Sequence, residues 1–377
     1  MIYLDSAATS LQKPPEVANA MTWTVKNLAS PGRGGYPAAA RAARLVFRCR
    51  EVAAELFRVP SPEQVVFTSS ATHGLNIAIR SLVKPGGRVV ISGYEHNAVT
   101  RTLQAIPGLE VVIAKAPLFG WEQMVDAFCA ALEEPADAVI CTHVSNVFGY
   151  ILPIEDIAVL CRTKGVPLVV DASQSVGSLP VDFGQLGAAF IAMPGHKGLL
   201  GPQGTGVLLC GEQTEPLLYG GTGSESLNQS MPDFLPDRLE PGTHNMPGIA
   251  GLYEGLRYLR RRGIDTIFGH EQMLIRRMGE GLAGIPGVTT YRDPSGNAQA
   301  GVLSFQIAGW DCEMLCDAFA QRGIALRGGL HCAPLAHRTA GTADLGTVRA
   351  SVSAFSRVWE IDRFLGVADK LAARYRP

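Results

Sequence analysis

The chain has little net charge and lacks the features of several protein classes. Its 33 Lys and Arg residues nearly balance 34 Asp and Glu residues, which leaves a net charge of −1 at pH 7. A balanced chain has no general attraction for polyanions, so we expect no nucleic-acid partner. No apolar run approaches the roughly 18 residues of a membrane-spanning helix, so we expect no membrane partner either.

Metal-binding, nucleotide-binding and targeting motifs are also missing. The eight cysteines form no C-x-x-C pair, and Cys312 and Cys316, spaced for one helix face, have no second ligand pair nearby. We therefore predict core packing for these two thiols and no metal site. No GxxxxGK[ST] segment occurs, and the glycines of 201–206 lack the dinucleotide-binding order. The N-terminus has neither the basic nor the apolar part of a leader, which favours the cytoplasm.

Strand-like and helical segments alternate from about residue 40 to 210. Apolar runs typical of strands occur at 65–67, 88–92, 110–114, 138–142, 167–170, 189–192 and 207–210. Helical stretches separate most of them, which predicts a parallel α/β sheet with helices on both faces. A chain of 377 residues exceeds the usual size of one core. We therefore assign the residues from about 265 onward to a smaller α/β domain.

Two of these apolar runs end in residues that carry chemistry. Asp171 follows one run, and Lys197, between two glycines, follows the next. Either residue alone could be ordinary, the lysine on the surface and the acid at a helix N-cap. Together at neighbouring strand ends they favour a cofactor site, because a lysine can form an imine and a buried acid can pair with a pyridinium nitrogen.

Two further strand ends carry polar residues. Segment 69–74 joins a strand to a helix, where N–H groups and hydroxyls could bind an anion. Taken alone, this segment fits an ordinary helix N-cap better. His96 also follows a strand, and its ring could stack on an aromatic cofactor, although a hydrogen-bonded loop histidine is an equally good interpretation.

A glycine-rich segment near the C-terminus, 327–334, carries a thiol. Cys332 lies beside His331 and near Arg327, in what we predict to be a mobile loop. Cationic neighbours would favour the thiolate form, which makes Cys332 a candidate nucleophile. Arg349 stands alone among small and apolar residues, and it could be an ordinary surface arginine or could bind a carboxylate through two hydrogen bonds.

In this order, the segments resemble the class V aminotransferase family of fold-type I pyridoxal phosphate (PLP) enzymes, and within it the group II cysteine desulfurases and selenocysteine lyases. The resemblance is carried by Arg349 and by segments 3–8, 142–146, 171–174, 195–197 and 327–333. It implies a large PLP-binding domain, 16–264, with a mostly parallel seven-stranded sheet. It also implies a small α/β domain built from 1–15 and 265–377, which would carry the Cys332 loop.

The resemblance implies a role for each candidate residue toward PLP. Lys197 would hold the cofactor covalently, Asp171 would pair with its ring nitrogen, and Gln174 would bind its phenolic oxygen. His96 would stack on the ring and assist catalysis, with Asn146 also close to the cofactor. The phosphate would be held by Thr72, His73 (through its backbone) and His196, and by Thr243 from the other subunit of a homodimer.

The resemblance also implies the reaction. Arg349, Asn146 and Arg327 would bind the amino-acid substrate, L-cysteine or L-selenocysteine. Cys332 would take the sulfur as a persulfide, alanine would leave, and a sulfur-acceptor protein could receive the sulfur. The alternatives are a selenocysteine lyase, or a related aminotransferase or epimerase in which Cys332 has no catalytic part. A non-enzyme alternative is a sulfur-carrier or assembly protein that keeps the fold without turnover.

Three positions depart from the group II pattern. Pro194 stands where a serine usually contacts the phosphate, Asn97 stands where a second histidine is common, and Tyr36, after Arg33-Gly34-Gly35, replaces an expected histidine. These departures bear on phosphate affinity, substrate choice and coupling to a sulfur acceptor.

Overall fold

The computed structural model describes residues 1–32, 34–211 and 213–375. The helices are α1 (Pro15–Asn27), α2 (Pro37–Phe57), α3 (Ala71–Leu82), α4 (Asn97–Gln104), α5 (Trp121–Ala131), α6 (Ile154–Lys164), α7 (Phe183–Leu186), α8 (Met246–Arg262), α9 (Ile264–Ala283), α10 (Cys312–Ala320), α11 (Pro334–Ala340) and α12 (Val358–Ala372). In these three ranges no helix is both long and apolar enough to cross a membrane.

The strands are β1 (Ile2–Tyr3), β2 (Val65–Thr68), β3 (Arg88–Ser92), β4 (Glu110–Ala114), β5 (Ala138–Thr142), β6 (Leu168–Asp171), β7 (Phe190–Pro194), β8 (Gly206–Cys210), β9 (Val288–Tyr291), β10 (Val302–Ile307), β11 (Ile324–Ala325), β12 (Arg327–Gly329) and β13 (Thr347–Ser351). Single 3-10 turns cover Pro62–Gln64, Asp237–Leu239 and Ala373–Tyr375.

The central sheet has seven strands in the order β2-β8-β7-β6-β5-β3-β4. Every residue of β5, β6, β7 and β8 is buried. Continuous apolar strands of this kind are expected where helices cover both faces of a sheet. The predicted α/β fold with a mostly parallel seven-stranded sheet is therefore confirmed.

One strand of this sheet runs against the others. From the sequence we place 207–210 among parallel strands, but β8 is antiparallel to both of its neighbours, β2 and β7. The physical reason is the connection 195–205, which contains no helix. A parallel return needs a long crossover, usually helical, so this shorter connection turns the chain back beside β7.

A second, antiparallel sheet has the order β12-β13-β10-β9. β1 pairs in parallel with β11, and Ser351 donates its backbone N–H to Leu4 at 2.7 Å. The N-terminal residues therefore join the C-terminal part of the chain, as we expect for 1–15. The limits of the two domains, 16–264 against 1–15 and 265–377, stay a prediction.

Candidate active site

Four adjacent parallel strands, β3, β5, β6 and β7, end at one edge of the central sheet. The polar residues at or just beyond these ends are Glu95, His96, His143, Asn146, Asp171 and Lys197. Ligands of open α/β sheets bind at the carboxyl ends of strands. The fold thus gathers four of the predicted site residues, together with two that the sequence did not single out.

Asp171 and Lys197 belong to neighbouring strand ends. Asp171 is 3% exposed, pairs in register with Ala192 of β7, and accepts a hydrogen bond from the backbone N–H of Ser173 at 3.0 Å. Burial lowers the pKa of Lys197 to about 8, and the nearby Asp171 carboxylate opposes this shift. A lysine with a lowered pKa has more neutral amine available for attack on a carbonyl carbon.

His96 caps the N-terminus of α4. Its Nδ1 accepts a hydrogen bond from the backbone N–H of Ala98 at 3.0 Å. Burial lowers the pKa of His96, so the ring is neutral near pH 7. The next residue, Asn97, donates its backbone N–H to the carbonyl of Cys332 at 2.8 Å. This bond ties the His96 turn to the segment that carries the candidate nucleophile.

Two buried titratable groups lie beside these residues. Glu95 is fully buried, accepts hydrogen bonds from the Ser92 hydroxyl and, at 2.7 Å, from the Thr142 backbone N–H, and burial raises its pKa to about 8. Burial lowers the pKa of His143 to about 4. Both groups are therefore neutral near pH 7. Their position directly after buried strands was the sequence signal that could have found them.

The turn before α3 is the expected phosphate site. Ser70 caps the helix, and its hydroxyl accepts the backbone N–H of His73 at 3.2 Å. That contact occupies the His73 backbone donor, whereas the N–H groups of Ala71 and Thr72 lie in the first turn, where no helical carbonyl accepts them. Gly206 allows the close approach of this turn, because a Cβ there would lie 2.8 Å from the carbonyl carbon of Ser70.

The N-terminal segment holds the turn that carries Lys197. His196 Nδ1 lies 3.0 Å from the Thr9 hydroxyl, and the His196 carbonyl accepts the backbone N–H of Ser10 at 3.0 Å. Burial lowers the pKa of His196 to about 4, with a further contribution from Lys197. Gln174 donates its side-chain N–H to the Ala7 carbonyl at 3.0 Å. Residues 7–10 thereby fix His196 and Gln174.

Arg349 is buried at 3% exposure and is held from two sides. It donates to Asp5 Oδ1 at 2.9 Å and to the Asn146 carbonyl at 2.9 Å, while its Nε has no partner in the described part of the chain. Arg327, which is half exposed, binds the other Asp5 oxygen at 3.1 Å. The sequence did not identify Asp5 as a site residue. Its neighbours in the chain form no motif that indicates an ion pair, and the two arginines that it binds lie more than 320 positions away.

The segment around Cys332 is more ordered than we predict from its glycines. Residues 327–329 form strand β12 rather than a loop, because their backbone pairs with β13. His331 and Cys332 both have left-handed φ values, 50° and 56°, and Cys332 is exposed. Such a conformation costs on the order of 1–3 kcal/mol per residue. It is held by hydrogen bonds to the His331 carbonyl from Asn146 (2.8 Å) and to the Cys332 carbonyl from Asn97.

We expect His331 and Arg327 to place positive charge beside Cys332. This prediction is wrong for His331, and the charge of Arg327 is paired with an acid. The His331 ring is buried, faces the Thr347 carbonyl at 3.1 Å, and stacks on His337 with centroids 5.7 Å apart. Burial lowers the pKa of His331 well below its ordinary value, so the ring is neutral. Arg327 is paired with Asp5.

Thr243 lies apart from the cavity that Lys197 lines. It is exposed and lines two other cavities, one of them together with Ser69 and His73. Its loop is fixed by the buried pair of Glu240 and Arg50, whose Nη1 lies 2.8 Å from Glu240 Oε1. His244 also binds Glu240, at 2.7 Å. A loop held this firmly can present Thr243 at the surface.

The three departures from the group II pattern have distinct settings. Pro194 is the buried last residue of β7, in register with Gly206. Asn97 contributes its backbone to the Cys332 contact described above, and Tyr36 is exposed just before α2. Arg33, in the same motif as Tyr36, lies outside the described residues.

Cys312 and Cys316 lie on α10 and pack against the core of the smaller sheet. Over the ranges that the structure describes, no group of three His, Cys, Asp or Glu side chains is arranged to hold a metal ion. The packing of these two thiols agrees with the core role we predict for them.

The fold and this strand-end site define a class of proteins. The family model for class V aminotransferases matches residues 2–364, and the chain belongs to that family. A further step comes from individual relatives. The chain is 31% identical to a probable cysteine desulfurase of Pyrococcus abyssi, covering 100% of this chain and 95% of the relative. It is 34% identical to one of Methanothermobacter thermautotrophicus, covering 96% and 92%.

Solved structures give the same result. The apo cysteine desulfurase of Thermococcus onnurineus superposes with a TM-score of 0.92 at 32% identity, covering 99% of this chain and 95% of that one. The Escherichia coli cysteine desulfurase CsdA, in an S-sulfonic acid form, gives a TM-score of 0.85 at 28% identity, covering 99% and 94%. These similarities extend over nearly the entire chain.

Proposed function

We propose that this protein is a PLP-dependent cysteine desulfurase that converts L-cysteine to L-alanine and transfers the sulfur to Cys332. The observation that carries the proposal is the link between two turns. The backbone N–H of Asn97, beside His96, binds the carbonyl of Cys332, so the thiol segment is tethered at the sheet edge where β6 ends at Asp171 and β7 leads into the turn of Lys197. The names of the full-length relatives support the same activity.

The residues at this edge fit PLP. Several buried polar atoms there have no partner in the described chain, among them Glu95 Oε2, His143 Nδ1 and Arg349 Nε. Such atoms are expected where a bound group completes the hydrogen bonding. When bound, PLP supplies an electron sink for charge that develops at the substrate α-carbon.

Each candidate residue then has a task toward the cofactor. Lys197 would hold it covalently and, as a free amine, would remove the substrate α-proton at Nζ. Asp171 would pair with the ring nitrogen, Gln174 would bind the phenolic oxygen, and His96 would stack on the ring. The phosphate would be held by the first turn of α3 through Thr72 and by His196; the expected backbone contact from His73 would require its N–H to leave the Ser70 hydroxyl.

The substrate carboxylate is bound by Arg349 and Asn146, with Arg327 at the exposed side. Arg349 is held ready for this by Asp5, since its guanidinium is fixed in place and still has an unpartnered Nε. Guanidinium groups suit this task because they bind a carboxylate through two parallel hydrogen bonds.

Cys332 accepts the sulfur. Its thiolate attacks the substrate sulfur, the bond from Cβ to sulfur breaks, and a new sulfur–sulfur bond forms at Cys332. The balance is one cysteine plus one enzyme thiol giving one alanine plus one enzyme persulfide. Because Cys332 is exposed, a sulfur-acceptor protein or a small thiol can reach that persulfide by exchange.

The functional unit of the proposal is a homodimer in the cytoplasm. Exposed Thr243, on the loop fixed by Arg50 and Glu240, reaches the phosphate held by the other subunit. Such an arrangement completes each site from two chains.

The decisive experiment measures alanine and sulfide released from L-cysteine with a reductant, together with the visible spectrum of the cofactor-loaded protein. We expect Lys197→Ala to lose the absorbance band of the lysine-bound cofactor, and Lys164→Ala on the exposed end of α6 to keep it. Cys332→Ala should keep the band and lose sulfide release, whereas Cys129→Ala, which removes another exposed thiol, should keep both. Full activity of Cys332→Ala on cysteine contradicts the proposal.

A further inference from the structure

A small cavity of about 50 Å³, open to solvent at one side, lies where the N-terminal segment meets the loops after β6 and β7 and the smaller sheet. Lys197 lines it, and Glu271 of α9 lines it as well. Among the described residues of its wall, these are the only two with titratable side chains. Gln174 also lines it, whereas Asp171 and Cys332 do not, so the cavity adjoins the candidate active site at Lys197 and extends from there to α9.

Glu271 is a buried acid without an ion-pair partner. It is 6% exposed, its Oε2 accepts the Ser178 hydroxyl at 2.7 Å, and no cation lies within salt-bridge distance in the described chain. It occupies the buried face of α9 one turn from Ile267 and Leu274. A carboxyl on that face costs free energy that an apolar residue would avoid, so a packing role does not account for it.

The backbones that carry Ser178 and Lys197 are in direct contact. A Cβ on Gly177, whose φ is +86°, would lie 2.1 Å from the carbonyl oxygen of Gly198, and one on Gly198 would lie 1.9 Å from that of Val176. Ser178 follows Gly177, and Gly198 follows Lys197. The hydrogen-bond partner of Glu271 is therefore fixed against the turn that presents the lysine.

The surroundings of Glu271 contain little other charge. Ser178 comes from the loop after β6, Leu259 from α8, Gly301 from the start of β10, and Val352 from the end of β13. On α9 itself, the neighbouring His270 is directed to the Ser356 carbonyl at 2.8 Å. At the lysine end of the cavity, Lys13 binds Ser10 at 2.7 Å, and burial lowers the Lys13 pKa to about 8.

We propose that Glu271 is a positioning residue that exchanges protons with Lys197 through water in the cavity they share. The inference rests on the proposed role of Lys197 in removing the substrate proton. As an ammonium ion, Lys197 cannot attack a carbonyl carbon, so a proton must leave its nitrogen before it can bind the cofactor again. In this step one N–H bond of Lys197 breaks, one O–H bond forms on Glu271, and the acid later releases the proton toward the mouth of the cavity.

The ionisation of Glu271 suits this exchange. Burial raises its pKa to about 7, and the hydrogen bond from Ser178 opposes the shift. A group of this pKa both accepts and releases a proton readily at neutral pH. Burial moves the pKa of Lys197 toward the same range, to about 8, so both groups exchange protons at pH values near neutrality.

The first test uses protein from which the cofactor has been removed. The rate at which an amine-specific acylating reagent modifies Lys197 is measured against pH by peptide mass spectrometry, for wild type, Glu271→Gln and the control Glu280→Gln on the exposed face of α9. Wild type and the control should show an ionisation near pH 7 in addition to that of Lys197. Glu271→Gln should lack it, and an unchanged profile overturns the proposal.

The second test uses the loaded enzyme. Glu271→Gln should lower kcat by about 10²-fold, the lower end of the contribution of a positioned proton-transfer group, and should lose the ionisation near pH 7 from the kcat profile. Added formate should restore Glu271→Ala in a saturable manner, because the anion enters the space left by the side chain. If formate does not restore the activity of Glu271→Ala, and Glu271→Gln keeps the wild-type pH profile of Lys197 modification, then Glu271 has only a structural role and the proposal is overturned. If Lys197→Ala keeps the absorbance band of the cofactor, the proposed function is wrong. The pH profile of Lys197 modification tests the role of Glu271 separately, because it is measured without the cofactor.

Discussion

Asp5 Oδ1 and the Nη2 of Arg349 lie 2.9 Å apart, although 344 residues separate them in the chain. Arg349 is almost fully buried, and Asp5 binds Arg327 through its other oxygen. The segment that follows β1 thus brings the charge that fixes the candidate substrate-binding arginine. Any change at Asp5 should therefore affect both stability and substrate binding.

Asp5→Ala should reduce the free energy of unfolding by about 3 kcal/mol, since it leaves a buried arginine without its partner. It should also raise KM for L-cysteine more than it lowers kcat. Asp362→Ala, which removes an ion pair of half-exposed residues with Arg277, should cost much less, because solvent screens the pair. Denaturant unfolding and steady-state kinetics measure both effects, and equal losses in the two variants would refute the assigned role.

Asn146→Ala should loosen the turn that carries Cys332. The change removes the 2.8 Å hydrogen bond to the His331 carbonyl, and a buried acceptor left unpaired costs about 1–3 kcal/mol. With the left-handed backbone less constrained, the alkylation rate of Cys332 by iodoacetamide should change and sulfide release should fall. Asn228→Ala, at an exposed position, should leave both rates as in wild type. Identical alkylation in the two variants would show that Asn146 does not hold the turn.

The buried pair of Arg50 and Glu240 should make stability depend on acid pH. Burial alone would raise the pKa of Glu240, but Arg50 and a hydrogen bond from His244 hold it below 4.5. A carboxyl whose pKa is lower in the folded state contributes its full stability above the unfolded pKa, and loses it as pH falls through the folded value. We expect wild type to lose stability more steeply below pH 4.5 than Glu240→Gln does.

Urea unfolding between pH 6 and 3 measures this slope, with Glu16→Gln on the exposed side of α1 as the control. Glu240→Gln should be less stable than wild type at pH 6 by about 3 kcal/mol, because it leaves Arg50 unpaired. Parallel pH curves for wild type and Glu240→Gln would exclude the pair as the source of the dependence.

Pro194→Ser tests the departure next to Gly195-His196-Lys197. A serine hydroxyl at this buried strand end adds a donor for the cofactor phosphate, and one such hydrogen bond contributes about 1 kcal/mol. We therefore expect PLP to bind about fivefold more tightly, as measured by equilibrium dialysis. Asn97→His, which changes a side chain beside the same site but offers no new donor at the β7 end, serves as the comparison. Weaker binding by Pro194→Ser would mean that the proline itself shapes the turn.

Much of the strand-end chemistry was visible in the sequence, because it is local. Asp171 and Lys197 each follow a short apolar run within a few residues, and the parallel order of such runs implies a common edge. His96 was found by the same reasoning. The apolar run at 207–210 has the same pattern as the others, but the strand that it forms, β8, is antiparallel to its neighbours. Strand direction depends on the length of the preceding connection, which the apolar pattern does not contain.

Side chains whose role depends on contacts with distant segments of the chain could not be found from local sequence patterns. Asp5 has no local mark, and the histidine next to Cys332 looked like a cation until its burial beside His337 was known. Glu271 left one sequence signal, an acid at an apolar position of α9, but its relation to Lys197 needs two loops and a helix to meet around one cavity.

By itself, the sequence determined the α/β class, the strand ends that carry Asp171 and Lys197, and the thiol at Cys332, because side-chain periodicity and turn residues are properties of neighbouring positions. Only the tertiary structure decided which charges are paired, which are neutral and which face one another. Those properties depend on burial and on distances between segments hundreds of residues apart, and no short stretch of sequence contains them.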